Sequence, residues 1–276
     1  MIEHELSPIT TKDGLKLYTT TNAVENPIAG LLIIHGLGEH IERYDSVFAA
    51  LAKNQIIAYG IDLRGHGKSE GKKGHSPSYE LLMEDIEELM KTFRADFNEL
   101  PMFIFGHSMG GNLVANFIIR RRTQELNGFI VSSPFFELAF KPPKWKESLG
   151  KMMSKTFPSY TDKSDLNTKG LSKIPEVVTA YENDPLVHAK ITAGLYTQLT
   201  SSGVYALKNS EKIEIPGFAY HGDTDPITSH DATKSFAENN ELIFWKSYQG
   251  VLHEGHNDKE QEEVIDALIA WIHNNI

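Results

Sequence analysis

The chain has 276 residues, of which 40% are hydrophobic and 23% are charged, an ordinary globular composition that excludes disordered, collagenous and coiled-coil proteins. Its formal net charge of −10 argues against a nucleic-acid-binding protein, because such a protein needs a basic face to meet phosphates. Cysteine is absent, which excludes disulfides, a thiolate nucleophile and cysteine-ligated zinc.

The first residues, MIEHELSPI, carry two glutamates and lack the apolar segment of a secretory signal. No apolar run approaches the ~18 residues of a membrane span. We therefore expect a soluble, cytoplasmic protein, which could also lie peripherally at a membrane surface.

Six short apolar runs, rich in β-branched and aromatic residues, predict strands, and the amphipathic segments between them predict helices. This alternation is typical of a parallel sheet that is covered by helices on both faces. Residues 11–22 instead alternate between polar and apolar and predict an antiparallel hairpin at the sheet edge. The predicted strands are 30–34, 56–62, 102–105, 128–133, 217–221 and 242–248, and the predicted helices are 78–96, 108–122, 229–239 and 258–274.

The strand–helix alternation is interrupted once. Residues 135–205 contain several prolines and no convincing strand. We therefore expect an inserted helical cap over 135–205, carried by a core that comprises residues 1–134 and 206–276.

A serine flanked by glycines lies where a predicted strand meets a predicted helix, in Gly106-His107-Ser108-Met109-Gly110. A serine on such a tight turn is held in a strained backbone geometry that exposes its hydroxyl, and the glycines leave room for the neighbouring strand and helix. The helix N-terminus also offers N–H groups to a developing oxyanion. We therefore predict that Ser108 is a nucleophile.

A serine hydroxyl is a weak nucleophile at neutral pH, so it needs a base and an acid that orients the base. In a sheet of this kind the acid and then the histidine follow the serine along the chain, each on a loop after a later strand. The loop after the fifth predicted strand offers Asp225, with Asp223 as an alternative that could instead cap the turn. The loop after the sixth offers His253, and His256 would then be a solvated loop histidine or a polar neighbour.

The loop after the first predicted strand reads HGLGEH from His35 onward. Its two glycines keep the backbone uncluttered, so a backbone N–H can point inward. We predict that the amides of Leu37 and Met109 are the oxyanion donors, each typically worth about 3–4 kcal/mol to the transition state. The histidines show no HExxH-like helical spacing, so we expect no metal and no cofactor.

An ordered series of motifs runs over almost the whole chain: HGLGEHIERY, DLRGHGKSEG, GHSMGG, YENDPL, HGDTDPI and GVLHE. The series resembles that of the monoacylglycerol lipases, a serine hydrolase family of the α/β-hydrolase fold. The resemblance implies a triad of Ser108, Asp225 and His253, and an inserted cap that shapes a lipid-binding tunnel.

The resemblance also implies a glycerol pocket formed by Glu39, Arg43, His107 and Tyr181, although a Glu39–Arg43 pair could merely brace the loop. The expected cap is rich in bulky apolar residues and lysines, which either pack on the core or form a rim that touches lipid surfaces transiently. These cap residues are Phe140, Trp145, Leu149, Met152, Met153 and Phe157, with Lys141, Lys144, Lys146, Lys151 and Lys155.

The sequence thus predicts an enzyme that hydrolyses carboxylic esters through an acyl-serine intermediate, with monoacylglycerols as the expected lipid ester substrates. A lysophospholipase and a broad short-chain carboxylesterase are alternatives, and a non-catalytic ligand-binding relative is a remote one. We expect no nucleic-acid partner, and the oligomeric state stays open.

Overall fold

The computed structural model describes residues 4–121, 123–141, 143–164 and 166–276. The strands are β1 (His4–Glu5), β2 (Ile9–Thr10), β3 (Lys16–Leu17), β4 (Thr19–Thr21), β5 (Ala29–Ile34), β6 (Ile56–Ile61), β7 (Met102–His107), β8 (Gly128–Ser132), β9 (Thr161–Lys163), β10 (Lys190–Thr192), β11 (Gly217–Gly222) and β12 (Ile243–Tyr248). The α-helices are α1 (Asp45–Lys53), α2 (Tyr79–Asp96), α3 (Met109–Arg120), α4 (Lys144–Thr156), α5 (Pro175–Asn183), α6 (Ala193–Asn209), α7 (His230–Glu238) and α8 (Gln261–His273).

The central sheet has eight strands in the order β1-β4-β6-β5-β7-β8-β11-β12. The six strands from β6 to β12 in that order are parallel, and β1 and β4 are antiparallel to their neighbours. Each of the six predicted core strands is present within two residues at either end, and the four predicted helices are present within three. The predicted parallel α/β sheet is therefore confirmed.

Successive side chains of the buried strands enter two different cores, because a strand points alternate residues to opposite faces. In β5, Leu31 and Ile33 pack with residues of α1 and α8, whereas Leu32 and Ile34 pack with residues of α2 and α3. The strands are covered on both sides, which is why their sequences are apolar throughout. Among the described residues, no helix is long and apolar enough to span a membrane.

The predicted edge hairpin over residues 11–22 is wrong in its pairing. β3 pairs with β2 in a small separate sheet, and β4 joins the central sheet between β1 and β6. All three residues of β4 are buried, so the apparent alternation does not reflect one exposed face.

The segment 135–205 contains α4, α5 and most of α6, and it also contains the antiparallel pair β9–β10, which the sequence analysis missed. These strands are three residues long and largely polar, so they give no apolar alternation. The expected boundary at residue 205 falls inside α6, which packs on α3: the Asn112 and Asn116 side chains donate to the Leu199 and Ser202 carbonyls.

Candidate active site

The sharp turn at Ser108 joins the end of β7 to the start of α3. Ser108 has φ 53° and ψ −113°, a left-handed backbone that residues with a side chain rarely adopt. A Cβ on Gly106 would lie 2.3 Å from the Gly110 carbonyl oxygen, and one on Gly110 would lie 2.1 Å from the Ile34 carbonyl oxygen. Glycine is therefore required at both flanking positions, and the turn presents Ser108 to a cavity.

Asp225 follows β11 and its side chain is fully buried. One carboxylate oxygen, Oδ2, lies 2.7 Å from Nδ1 of His253, and the other accepts the Ile227 amide at 2.7 Å. Asp223 is exposed and accepts the Gly250 amide at 2.6 Å. Of the two candidate acids, Asp225 is the one beside the histidine, and Asp223 holds the turn.

His253 lies on the loop after β12 and lines the same cavity as Ser108. Burial lowers the pKa of His253, but the adjacent Asp225 carboxylate outweighs that effect, and the net pKa is raised. The His253 amide donates to the Gly170 carbonyl at 3.1 Å, so a residue of the inserted segment fixes the loop that carries the ring.

His256 is buried, so the expectation of a solvated loop histidine is wrong. Its ring stacks on Tyr44 at 4.8 Å between centroids and lies 4.9 Å from the His107 ring. Burial lowers the pKa of His256 to about 4, which keeps the ring neutral at physiological pH. The polar-neighbour interpretation describes its position beside His107.

The loop after β5 approaches Ser108 closely. A Cβ on Gly36 would lie 3.2 Å from the Ser108 Cβ, so glycine permits this approach. Leu37 and Met109 both line the cavity, and neither backbone amide has an acceptor among the described contacts. Two free N–H groups beside the serine are the arrangement that an oxyanion requires.

Comparison with known proteins agrees with this geometry. Residues 25–260 match the family model described as serine aminopeptidase, S33. The chain belongs to this family. It is thus a serine hydrolase with the α/β-hydrolase fold that the motif series implied.

Within this family, the chain is similar to several individual proteins, among them monoacylglycerol lipases. The Paleococcus ferrophilus monoacylglycerol lipase, known from a crystal structure, has 30% sequence identity to this chain. The two structures superpose with a TM-score of 0.86, and the match covers 94% of this chain and 99% of that one. The monoacylglycerol lipase of Mycolicibacterium smegmatis is 29% identical over 90% of this chain and 89% of its own length. An uncharacterized abhydrolase domain-containing protein of Dictyostelium discoideum is 34% identical over 96% of this chain, which spans 28% of that protein. The resemblance to monoacylglycerol lipases is confirmed.

A buried ion cluster links the loop after β5 to the loop after β12, which carries His253. The Arg43 guanidinium makes two hydrogen bonds of 2.7 Å to Glu254 and one of 2.5 Å to Glu39. Glu39 in turn accepts the Gly36 amide at 2.6 Å and the Tyr44 hydroxyl at 2.9 Å. Burial raises the pKa of Glu39 and outweighs Arg43, whereas at Glu254 the guanidinium outweighs burial and lowers the pKa.

The four residues expected around glycerol do not have equivalent positions. Glu39, His107 and Tyr181 line the cavity, whereas Arg43 lies behind Tyr181, with its guanidinium carbon 4.7 Å from the centre of that ring. The Glu39–Arg43 contacts agree with the alternative in which this pair braces the loop. Burial lowers the pKa of His107 well below its usual value, so its ring is neutral.

The cavity has a volume of 530 Å³. Its polar end contains Ser108, His253 and the carboxylates Glu39 and Glu254. Most of the remaining wall is apolar and comes from the segment after β8 and from the inserted elements. This wall includes Phe135, Leu138, Phe140, Pro143, Met153, Leu166, Ile191 and Tyr196.

Sequence reasoning missed three residues of the site. His221 and Thr228 both contact the Asp225 carboxylate, at 2.8 and 2.9 Å, and Glu254 binds Arg43. His221 lies four residues before Asp225, and Glu254 follows His253 directly, so adjacency in the motifs was the available signal.

We expect His253→Ala to lower kcat/KM by ~10⁴ or more, as much as Ser108→Ala, because the members of such a triad act as a unit. His256→Ala removes a neutral ring that does not touch Asp225, and should cost less than about tenfold once folding is matched. Ester hydrolysis by purified variants with similar melting temperatures checks this. The opposite ranking of the two variants would show that His256 is the base.

Proposed function

We propose that this chain is a monoacylglycerol lipase, which cleaves a monoacylglycerol into a fatty acid and glycerol. The observation that carries the proposal is the cavity: a mostly apolar wall and the polar residues around Ser108 line the same space. An acyl chain fits the apolar wall, and a small polar alcohol fits the other end. The monoacylglycerol lipases among the relatives support the same substrate class.

In the proposed reaction, the Ser108 hydroxyl attacks the ester carbonyl while Nε2 of His253 takes its proton. Asp225 accepts the Nδ1–H of His253, which fixes the ring and stabilises its charged form. The amides of Leu37 and Met109 bind the oxyanion of the tetrahedral intermediate. His253 then protonates the departing glycerol, and a water that it deprotonates releases the fatty acid from the acyl-serine.

The charge of the polar end favours a neutral leaving group. Glu39 and Glu254 line the cavity, whereas their counter-cation Arg43 is engaged behind them. At this end an anionic phosphate, as in a lysophospholipid, would meet two carboxylates compensated by one cation. The other charged residues of the lining, Asp162 and Lys163 in β9, have opposite charges that cancel. Glycerol meets no such penalty, and we propose that Tyr181 contacts it, with Glu39 and His107 on the same wall and Arg43 acting through Glu39.

We also propose that residues 135–205 form a cap whose outer face touches lipid surfaces transiently. Phe140, Met152, Phe157 and Tyr160 are each more than half exposed, and lysines such as Lys155 are exposed beside them. The side chains of Trp145 and Leu149, expected in the same stripe, lie outside the described residues.

Co-sedimentation with anionic vesicles should fall when Phe157 is changed to Ser; unchanged binding would contradict the lipid contact.

Tyr181→Phe tests the glycerol end. We expect kcat/KM for a monoacylglycerol to fall several-fold, the worth of about one hydrogen bond, while hydrolysis of the p-nitrophenyl ester of the same acid barely changes. The matched control is Tyr205→Phe, the same change at an exposed tyrosine of α6 that is not among the residues lining the cavity, and it should leave the hydrolysis of both substrates unchanged. An equal drop on both substrates for Tyr181→Phe would favour a general carboxylesterase.

Gly150→Leu tests the acyl end. Gly150 lies inside α4 and lines the cavity, and a Cβ there would meet no described atom within 4 Å. A helix-interior glycine costs about 1 kcal/mol of helix stability relative to alanine. We therefore propose that Gly150 is present because it leaves space for an acyl chain in the cavity. Leucine should lower kcat/KM for long-chain monoacylglycerols far more than for short-chain ones.

The control for this change is Ser148→Leu, which places leucine on an exposed position of the same helix. It should leave the chain-length profile unchanged. A Gly150→Leu profile that is identical to that of the wild type would show that acyl chains do not reach α4.

A further inference from the structure

His221, at the end of β11, is fully buried and contacts the same oxygen of Asp225 as His253 does. Its Nε2 lies 2.8 Å from Oδ2 of Asp225, and Nδ1 of His253 lies 2.7 Å from that oxygen. Two imidazoles and the Thr228 hydroxyl, at 2.9 Å, therefore share one carboxylate oxygen. The proposed reaction gives no role to the His221 ring.

The contacts of His221 determine its protonation. A carboxylate can only accept, so Nε2 of His221 carries the hydrogen that points at Asp225. The other ring nitrogen, Nδ1, lies 2.8 Å from the Thr233 hydroxyl, which must then donate to it. Burial lowers the pKa of His221, so the ring is a neutral donor and adds no second positive charge beside Asp225.

We propose that His221 is a positioning residue, which fixes the orientation of the Asp225 carboxylate and weakens the pull of that carboxylate on the proton of His253. The proposal rests on the proposed function, in which Asp225 orients His253. A hydrogen bond from His221 stabilises the anionic carboxylate and makes Oδ2 a weaker acceptor for a protonated His253. His253 then gives up its proton to the leaving group more readily than it would without the His221 contact.

The titratable and charged groups around this pair keep their identity in the His221 variants. A change in the pKa of His253 can therefore be assigned to the loss of the His221 donor. The His107 ring lies 4.7 Å from the His253 ring and 4.9 Å from the His256 ring, and the His230 ring lies 5.8 Å from the His221 ring. The charged neighbours of His253 are Glu39, Glu254 and, through them, Arg43.

The test is the pH profile of kcat/KM for a short-chain p-nitrophenyl ester, whose acidic limb reports protonation of the free enzyme's base. His221→Phe removes the donor and keeps a ring, so the limb should move to higher pH by about 0.5–1 unit, the worth of roughly one hydrogen bond. His221→Gln offers an amide N–H to Asp225 and should return the limb toward the wild-type position. His230→Gln, a change at a neighbouring histidine that does not contact Asp225, should leave it unmoved.

Thr233→Val provides a second variant that keeps the His221 ring. It removes only the hydroxyl that fixes the tautomer, and should move the limb in the same direction by a smaller amount. The proposal would be overturned if the acidic limb stays at its wild-type pH in both His221→Phe and Thr233→Val. If His221→Phe does not fold, an unmoved limb in Thr233→Val is by itself sufficient to overturn it. An equal shift in His221→Gln and His221→Phe would also overturn it, because the donor would then be irrelevant. A wild-type protein without esterase activity would instead refute the proposed function.

Discussion

The left-handed backbone of Ser108 is the constraint on which the site depends. It requires glycine on either side, at Gly106 and Gly110, where any side chain would strike backbone oxygens. The turn lies at the carboxyl end of a central parallel strand, and the loops after β5, β11 and β12 meet at the same edge of the sheet. Four separate stretches of sequence thereby reach one cavity without any of them being close along the chain.

Polar contacts between these loops make them one unit. Arg43 joins Glu39 on the loop after β5 to Glu254 on the loop after β12, so a shift of either loop disturbs a buried ion cluster. The inserted segment adds backbone contacts: the amide of His188 donates to the Gly38 carbonyl, and the Gly170 carbonyl accepts the His253 amide. The segment between β8 and β11 therefore contacts these loops as well as lining the cavity.

The sequence was sufficient for the features that depend on local pattern. Buried parallel strands are continuous apolar runs, and the serine turn has fixed glycine spacing, so both could be predicted. β9 and β10 were missed because short polar strands carry no periodic signal. The burial of His256 depends on stacking with Tyr44, and the His221–Asp225 contact depends on the turn after β11. Neither contact can be read from composition, because both require the folded path of the chain.

Covalent labelling with a fluorophosphonate tests the central claim, that Ser108 is an activated nucleophile served by His253, most directly. The reagent phosphonylates only a serine whose hydroxyl is activated and whose oxyanion site is formed. The account predicts a single adduct that peptide mass spectrometry places on Ser108, with labelling strongly slowed in His253→Ala. Labelling of another residue, or equal rates with and without the imidazole, would contradict it.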